Sequence, residues 1–295
     1  MPAELIDGTA IAKRIRAQVA VDVAALRARG VVPGLTVVLV GDDPASDVYV
    51  RSKERASVEA GMKGETIRLP ATVAQSELFA IIDRLNADPK VHGILVQSPL
   101  PKQIDAQAII NRVRPEKDVD GFHPVNVGKV LIGDPDAFAP CTPAGVMVLL
   151  KESGVDTSGK DAVIVGRSNI VGKPMASLLI QSGVDATVCI THSKTVELRS
   201  HVRRADILIA AIGRPEFIPG EWIKPGSVVI DVGVNRIPDP TMRSGTRLCG
   251  DVEFATAREV AGKITPVPGG VGPMTIAMLL KSTVRAATLA STGAT

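Results

Sequence analysis

Aromatic side chains are scarce: the chain has one Tyr, one Trp and five Phe in 295 residues. The core must therefore be built from Val, Ile, Leu and Ala, which suits parallel strands buried under helices. Dense Lys/Arg tracts are absent and the net charge is only +3, so no nucleic-acid partner is expected. No apolar run reaches the length of a membrane span, and no membrane association is expected. The opening residues 1–20 carry early acids and no signal-peptide core, so they do not read as a secretory leader. The three cysteines, Cys141, Cys189 and Cys249, have neither a disulfide framework nor zinc-ligand spacing. They read as small buried hydrophobes in a reducing cytoplasm. His92, His123, His192 and His201 form no ligand pair, and no metal is expected. A Walker loop and a G-x-S-x-G elbow are also missing.

What is present is an α/β rhythm long enough for two domains. An opening helix is expected over Gly8–Arg29, followed by a buried strand, Gly34–Gly41. A polar loop leads into a helix that carries Tyr49 and Lys53 and ends near Gly61. Strand Thr66–Leu69, helix Ser76–Asn86, strand Val91–Gln97 and helix Ala106–Arg112 complete a parallel pattern. Residues 117–124 read as polar and irregular. Thr142 is expected to cap a helix through Ser153, with Pro143 at its first position. The rhythm restarts with strands at Asp161–Gly166, Ala186–Ile190, Asp206–Ile212 and Ser227–Val234. Thr265–Thr275 is too rich in Gly and Pro for regular structure. A last helix is expected to end near Ala287, with a fraying tail behind it.

Candidate chemistry lies at strand ends, where open α/β sheets bind ligands. Tyr49, the only tyrosine, precedes Lys53 by four residues, so both share one helix face. Gln97 closes another strand. The acids of Lys117-Asp118-Val119-Asp120-Gly121 face the same way if the segment is extended, and spacing does not separate them. Gly166-Arg167-Ser168 through Gly172 is a glycine-punctuated strand-to-helix turn that departs from G-x-G-x-x-G. Its small residues would let the backbone approach a pyrophosphate. The following strand ends without the acid of NAD-binding folds. Arg167, Ser193, and His192 or Lys194 suit a 2′-phosphate instead, which points to NADP. Pro268-Gly269-Gly270 offers backbone with little side chain, as in a ligand-cleft wall.

Together these segments resemble the bifunctional methylenetetrahydrofolate dehydrogenase/methenyltetrahydrofolate cyclohydrolase family. The likeness rests on Ser46-x-x-Tyr49-Val-x-x-Lys53, Gln97-Ser-Pro-Leu-Pro101, Lys117–Phe122, Pro140–Pro143, Val165–Pro174 and Pro266–Thr275. It implies an α/β protein of two domains with a folate cleft between them. Residues 1–139 would form a three-layer folate-binding catalytic domain, completed by helix 273–295. Residues 140–272 would form a Rossmann-like NADP-binding domain. The implied work is tetrahydrofolate interconversion in a cytoplasmic homodimer that supports purine biosynthesis. The enzyme would oxidise 5,10-methylenetetrahydrofolate with NADP⁺, then hydrolyse the methenyl product to 10-formyltetrahydrofolate.

By the same likeness Lys53, Gln97, Asp120 and Tyr49 are catalytic: Lys53 central, Gln97 its hydrogen-bonding partner, Asp120 the folate-ring anchor and Tyr49 the stacking face. Ser46, Tyr49, Asp120, Pro268, Gly269 and Gly270 would bind substrate. Gly166, Arg167, Ser168, Ser193 and Val234 would bind the cofactor. Two other readings compete. Short-chain dehydrogenases also use Tyr-x-x-x-Lys, but after their dinucleotide fold, whereas here the pair precedes it. A non-catalytic nucleotide-binding module would leave Lys53, Gln97 and Asp120 without purpose.

Overall fold

The computed structural model describes residues 1–242 and 245–293. The chain opens with β1 (Glu4–Leu5) and α1 (Gly8–Ala28), then β2 (Gly34–Val40), α2 (Pro44–Glu59) and β3 (Lys63–Leu69). Next come α3 (Gln75–Ala87), β4 (Gly93–Val96), α4 (Ala106–Arg112), α5 (Pro124–Ile132) and α6 (Cys141–Glu152). The later half contains β5 (Asp161–Val165), α7 (Gly172–Leu179), β6 (Thr187–Thr191), α8 (Leu198–Arg204), β7 (Ile207–Ala210) and β8 (Val228–Asp231). It closes with β9 (Asn235–Pro238), β10 (Thr246–Cys249), α9 (Phe254–Arg258), β11 (Lys263–Ile264) and α10 (Val271–Thr292).

These elements form two compact units. One comprises Lys13–Cys141 and the chain from Ile276 onward; the other comprises Met1–Ala12 and Thr142–Thr275. The first twelve residues thus pack with the second half of the chain, because β1 adds a parallel strand beside β11.

The three-stranded unit has the order β3-β2-β4, with β2 parallel to both neighbours. All seven residues of β2 are buried, as expected for a central strand covered on both faces. Leu78, Ile82 and Leu85 of α3 pack with Val38, Val40 and Ile94, each contributing about 1.5–3 kcal/mol by leaving water. Since β3 and β4 lie on opposite sides of β2, the chain reverses direction across the sheet at β2/β4. Such a reversal opens a crevice at the carboxyl ends of the strands.

The six-stranded unit has the order β1-β11-β8-β7-β5-β6, and every pairing in it is parallel. Its reversal point lies between β5 and β7. Its core is aliphatic, with Val163, Val165, Leu208, Val229 and Ile264 in one cluster.

Several expectations need correction. Residues 118–123 are irregular as expected, but a helix that was not expected follows: α5 begins at Pro124 and closes on Gly133, whose φ of 74° is left-handed. Helix α6 begins at Cys141, so Thr142 is inside it, and its hydroxyl lies 3.0 Å from that of Thr275 instead of capping. Helix α10 starts at Val271, within the stretch judged too rich in Gly and Pro, and runs past Ala287 to Thr292. Pro273 is tolerated because first-turn amides need no intrahelical partner. Of the tail expected to fray, Ala294 and Thr295 lie outside the described residues. Cys141 and Cys249 are buried, but Cys189 is only half-buried, with its sulfur 3.6 Å from His201 Nδ1.

Two glycines give opposite expectations. A Cβ on Gly34 would lie 2.2 Å from the Lys90 carbonyl oxygen, whereas one on Gly128, mid-way along α5, would meet nothing within 4 Å. Gly34→Ala should destabilise the protein by about 2 kcal/mol or more, and Gly128→Ala should stabilise it by about 0.5–1 kcal/mol. Urea unfolding of both variants checks the pair.

Candidate active site

Helix α2 begins where β2 has ended. Its cap is Asp43, whose carboxylate accepts from the Ser46 N–H at 2.8 Å and the Ser46 hydroxyl at 2.7 Å, with Pro44 in the first turn. Ser46 is 5% exposed, and its hydroxyl is committed to the cap. Asp47 is held by Arg51 at 2.7 Å and by Arg68 at the end of β3 at 2.6 Å. Hydrogen bonds from Arg68 and Arg51 lower its pKa from the usual carboxylate value. The first turn of α2 is thus fixed to the sheet before the functional face begins.

On that face Tyr49 is 45% exposed, while Lys53, one turn on, is 8% exposed. The Lys53 ammonium donates to Gln97 Oε1 at 2.9 Å. Gln97 follows β4 directly, and its N–H donates to Val38 O at 2.9 Å. Its side-chain Nε2 donates to Ser98 O at 2.7 Å, so the amide oxygen faces the lysine. The contact joins the helix after β2 to the end of β4 across the reversal point.

The two acids that spacing left unresolved separate clearly. Asp118 is buried and accepts from Phe122 N (3.2 Å), His123 N (2.8 Å) and Asn126 Nδ2 (2.8 Å). It organises the loop. Asp120 is half-buried and lines a small pocket with Val96, Ser98, Leu100 and Phe122. Burial raises its pKa from the usual carboxylate value, and the positive charge of Lys53 pulls it back down. Lys53, Gln97 and Asp120 therefore belong to one electrostatic group. Cys141 sits beside it, its thiol donating to Val119 O at 3.3 Å. Burial and the Asp120 charge push that thiol well above its ordinary pKa, which keeps it a donor and not a nucleophile.

In the six-stranded unit the strand register places the expected cofactor residues on one edge. Val165 pairs with Thr191 of β6 and Ala210 of β7, so Arg167 and Ser193 each lie two residues beyond one register position. Both are exposed, as is Val234 beyond β8. A Cβ on Gly166 would lie 2.1 Å from Ala211 O, and one on Gly172 would lie 2.1 Å from Gly166 O. The turn closes only with glycine at both ends. The Ser168 hydroxyl accepts from Val171 N at 3.1 Å. Pro268, Gly269 and Gly270 belong to this same unit. Gly269 O accepts from Thr9 N at 2.9 Å, and a Cβ on Gly8 would meet Gly270 O at 1.8 Å.

Two acids on this edge escaped sequence reasoning. Asp231, 3% exposed, accepts from Gly233 N and Asp251 N at 2.9 Å and from Val252 N at 2.8 Å. Asp251, 0% exposed, accepts from the backbone N–H groups of Ile212, Gly213 and Arg214 at 2.5–2.9 Å. The only sequence signal was glycine near each acid, in Asp231-Val232-Gly233 and Gly250-Asp251. Among the described residues no group of three His, Cys, Asp or Glu could hold a metal ion, and no helix is long and apolar enough to cross a membrane.

Comparison with known proteins decides the family. The model of the tetrahydrofolate dehydrogenase/cyclohydrolase catalytic domain matches residues 6–120, and that of the family's NAD(P)-binding domain matches residues 140–291. The chain belongs to the tetrahydrofolate dehydrogenase/cyclohydrolase family. A relative named bifunctional protein FolD 1, from Myxococcus xanthus, is 57% identical over 97% of this chain and 98% of its own length. The solved bifunctional FolD of Campylobacter jejuni superposes with a TM-score of 0.92 at 46% identity, over 97% of this chain and 99% of that one. The Trypanosoma brucei enzyme, solved with NADP and an inhibitor, has a TM-score of 0.92 at 44% identity, over 98% of both chains. The fold is that of the family: two α/β domains, one of them a Rossmann-like NADP-binding domain.

Burial raises Asp231 from 3.8 to about 7, assisted by the Asp251 charge and opposed by three backbone N–H donors. The folded protein thus keeps a proton that the unfolded chain releases near its ordinary pKa. The stability this supplies is complete below that value and is lost as pH rises through about 7. The stability of wild type relative to Asp231→Asn should therefore shrink by about 2–3 kcal/mol from about pH 5 to about pH 8.5. Chemical denaturation of both proteins across that range measures it.

Proposed function

We infer that this chain oxidises 5,10-methylenetetrahydrofolate to the 5,10-methenyl form with NADP⁺ and hydrolyses that product to 10-formyltetrahydrofolate. The observation that carries the reading is the buried Lys53 ammonium held by the neutral amide of Gln97 in a chain matched nearly end to end by bifunctional relatives.

The methylene carbon lies between two nitrogens whose lone pairs stabilise the cation that develops as hydride leaves. No strong base is needed for that step. Bound NADP⁺ supplies the hydride acceptor. The residues at the carboxyl edge of the six-stranded unit fit such a dinucleotide. The Gly166–Gly172 turn admits no side chain at its two ends, which suits the close backbone approach a pyrophosphate needs. Gly166, Ser168 and the backbone of Val234 would hold the dinucleotide. Arg167 and Ser193, each two residues beyond the end of an adjacent strand, would take the 2′-phosphate through charge-assisted hydrogen bonds.

Water attack on the methenyl carbon requires a proton to be removed. Lys53 is buried and is assigned to move that proton. Gln97 orients its head group without adding a negative charge. Asp120 would accept two hydrogen bonds from the N–H edge of the folate ring, and Tyr49 would present its exposed ring for stacking. Ser46, through the α2 cap, holds the turn from which Tyr49 projects. Pro268, Gly269 and Gly270 complete the assigned substrate residues. We further assign a cytoplasmic homodimer.

Lys53→Met should lower hydrolysis of the methenyl substrate by about 10²-fold or more, with a much smaller change in KM; unchanged hydrolysis at saturating folate rules Lys53 out. Arg167→Ala should reduce the NADP/NAD preference in kcat/KM by about tenfold or more. An unaltered preference places the 2′-phosphate elsewhere.

A further inference from the structure

The carboxyl edge of the six-stranded unit rests on two buried acids that the reaction as described does not use. Asp251 carries its load on both oxygens. Oδ2 accepts from Ile212 N (2.5 Å) and Gly213 N (2.9 Å), and Oδ1 accepts from Arg214 N and Asn235 Nδ2, both at 2.9 Å. Asp231 in turn grips the backbone on either side of Asp251's own position, through Asp251 N and Val252 N, and also holds Gly233 N. A single relay therefore runs from the end of β8 to Asp251, and from Asp251 to the turn that follows β7.

Space has been cleared for both carboxylates. A Cβ on Gly233 would fall 2.3 Å from Asp251 Oδ1, and one on Gly250 would fall 1.9 Å from Asp231 Oδ2. Neither acid forms an ion pair among the described residues, although burying a carboxylate without a cation is unfavourable. Three consecutive backbone N–H groups converging on one acceptor-only side chain fix a turn more completely than any single hydrogen bond could.

The position of that turn gives the relay its meaning. In the proposed function, Arg167 and Ser193 take the adenosine 2′-phosphate at β5 and β6, and the pyrophosphate sits at the Gly166–Gly172 turn. A dinucleotide laid along the edge from β6 through β5 reaches β7 and β8 with its other half. Resting on that reading, we propose that Asp251, locked by Asp231, is a positioning residue for the nicotinamide half of NADP. It sets the Ile212–Arg214 turn and the Gly233–Val234 segment for hydride transfer, and it plays no part in hydrolysis.

Asp251→Asn tests this, because an amide NH₂ would replace one oxygen and face N–H donors. Displacement of a reacting group by about 1 Å costs on the order of 10²-fold. The dehydrogenase kcat/KM should fall by about that factor, while hydrolysis of added methenyltetrahydrofolate stays within about twofold. Binding of NADPH, followed by fluorescence, should weaken by about tenfold or more, while binding of 2′,5′-ADP, which contains only the adenosine half, should not change. Equal loss of both activities, equal weakening of both ligands, or unchanged NADPH binding would overturn the proposal. Should Asp251→Asn fail to fold, Asn235→Ala removes one donor to the same carboxylate. It must then show the same selective loss on a smaller scale, and its absence overturns the proposal equally. Wild-type enzyme without either activity would instead refute the assigned function, and the two-ligand comparison would still judge the positioning role.

Discussion

Backbone N–H groups beyond the carboxyl ends of parallel strands have lost their ladder partners, and where they are buried they must find acceptors. This chain meets the requirement with carboxylates. Asp43 closes the turn between β2 and α2, Asp118 closes the loop before α5, and Asp231 with Asp251 closes the loops after β7 and β8. Asp118, Asp231 and Asp251 each accept from several residues, so each fixes a stretch of backbone instead of a point. The carboxyl edges of both sheets are shaped by these acids, and side chains assigned to chemistry project from segments that the acids hold.

Charge is distributed differently at the lysine to which hydrolysis is assigned. Lys53 is buried against a neutral oxygen, and the nearby acid, Asp120, is only half-buried. An amide orients the group without pairing it with a second buried charge. Cys141 fits the same logic, since its thiol remains protonated and serves as a donor beside the acid.

Much of the fold was legible because buried parallel strands write continuous aliphatic runs. β2 and β5 stand out in this way, and α2, α3 and α4 follow from their flanks. What escaped detection was short or locally contradictory. β1 and β11 have two residues each, too few to show a period. Helix α5 carries Gly128 and four β-branched residues, Val125, Val127, Val130 and Ile132, so propensity argued against it. Its signals were Pro124 at the start and Gly133 at the end. At the site, the lysine and glutamine could be picked out because each sits beside a strand end. Spacing alone could not tell Asp118 from Asp120, since the distinction lies in which loop amides point at which acid; only the family resemblance singled out Asp120. Asp231 and Asp251 were hidden for a related reason: their partners are backbone groups distant in sequence, and backbone leaves no mark on composition.

The pairing of β1 with β11 has a consequence for how this chain comes into being. Glu4 lies against Lys263, so β1 waits for a strand made long after it. Closing so long a loop costs entropy before any contact repays it. The sheet of the six-stranded unit therefore gains its outer strand only after β11 has been made. Until then, the parallel edge of β11's neighbours stands open, and β1 is a strand without a sheet.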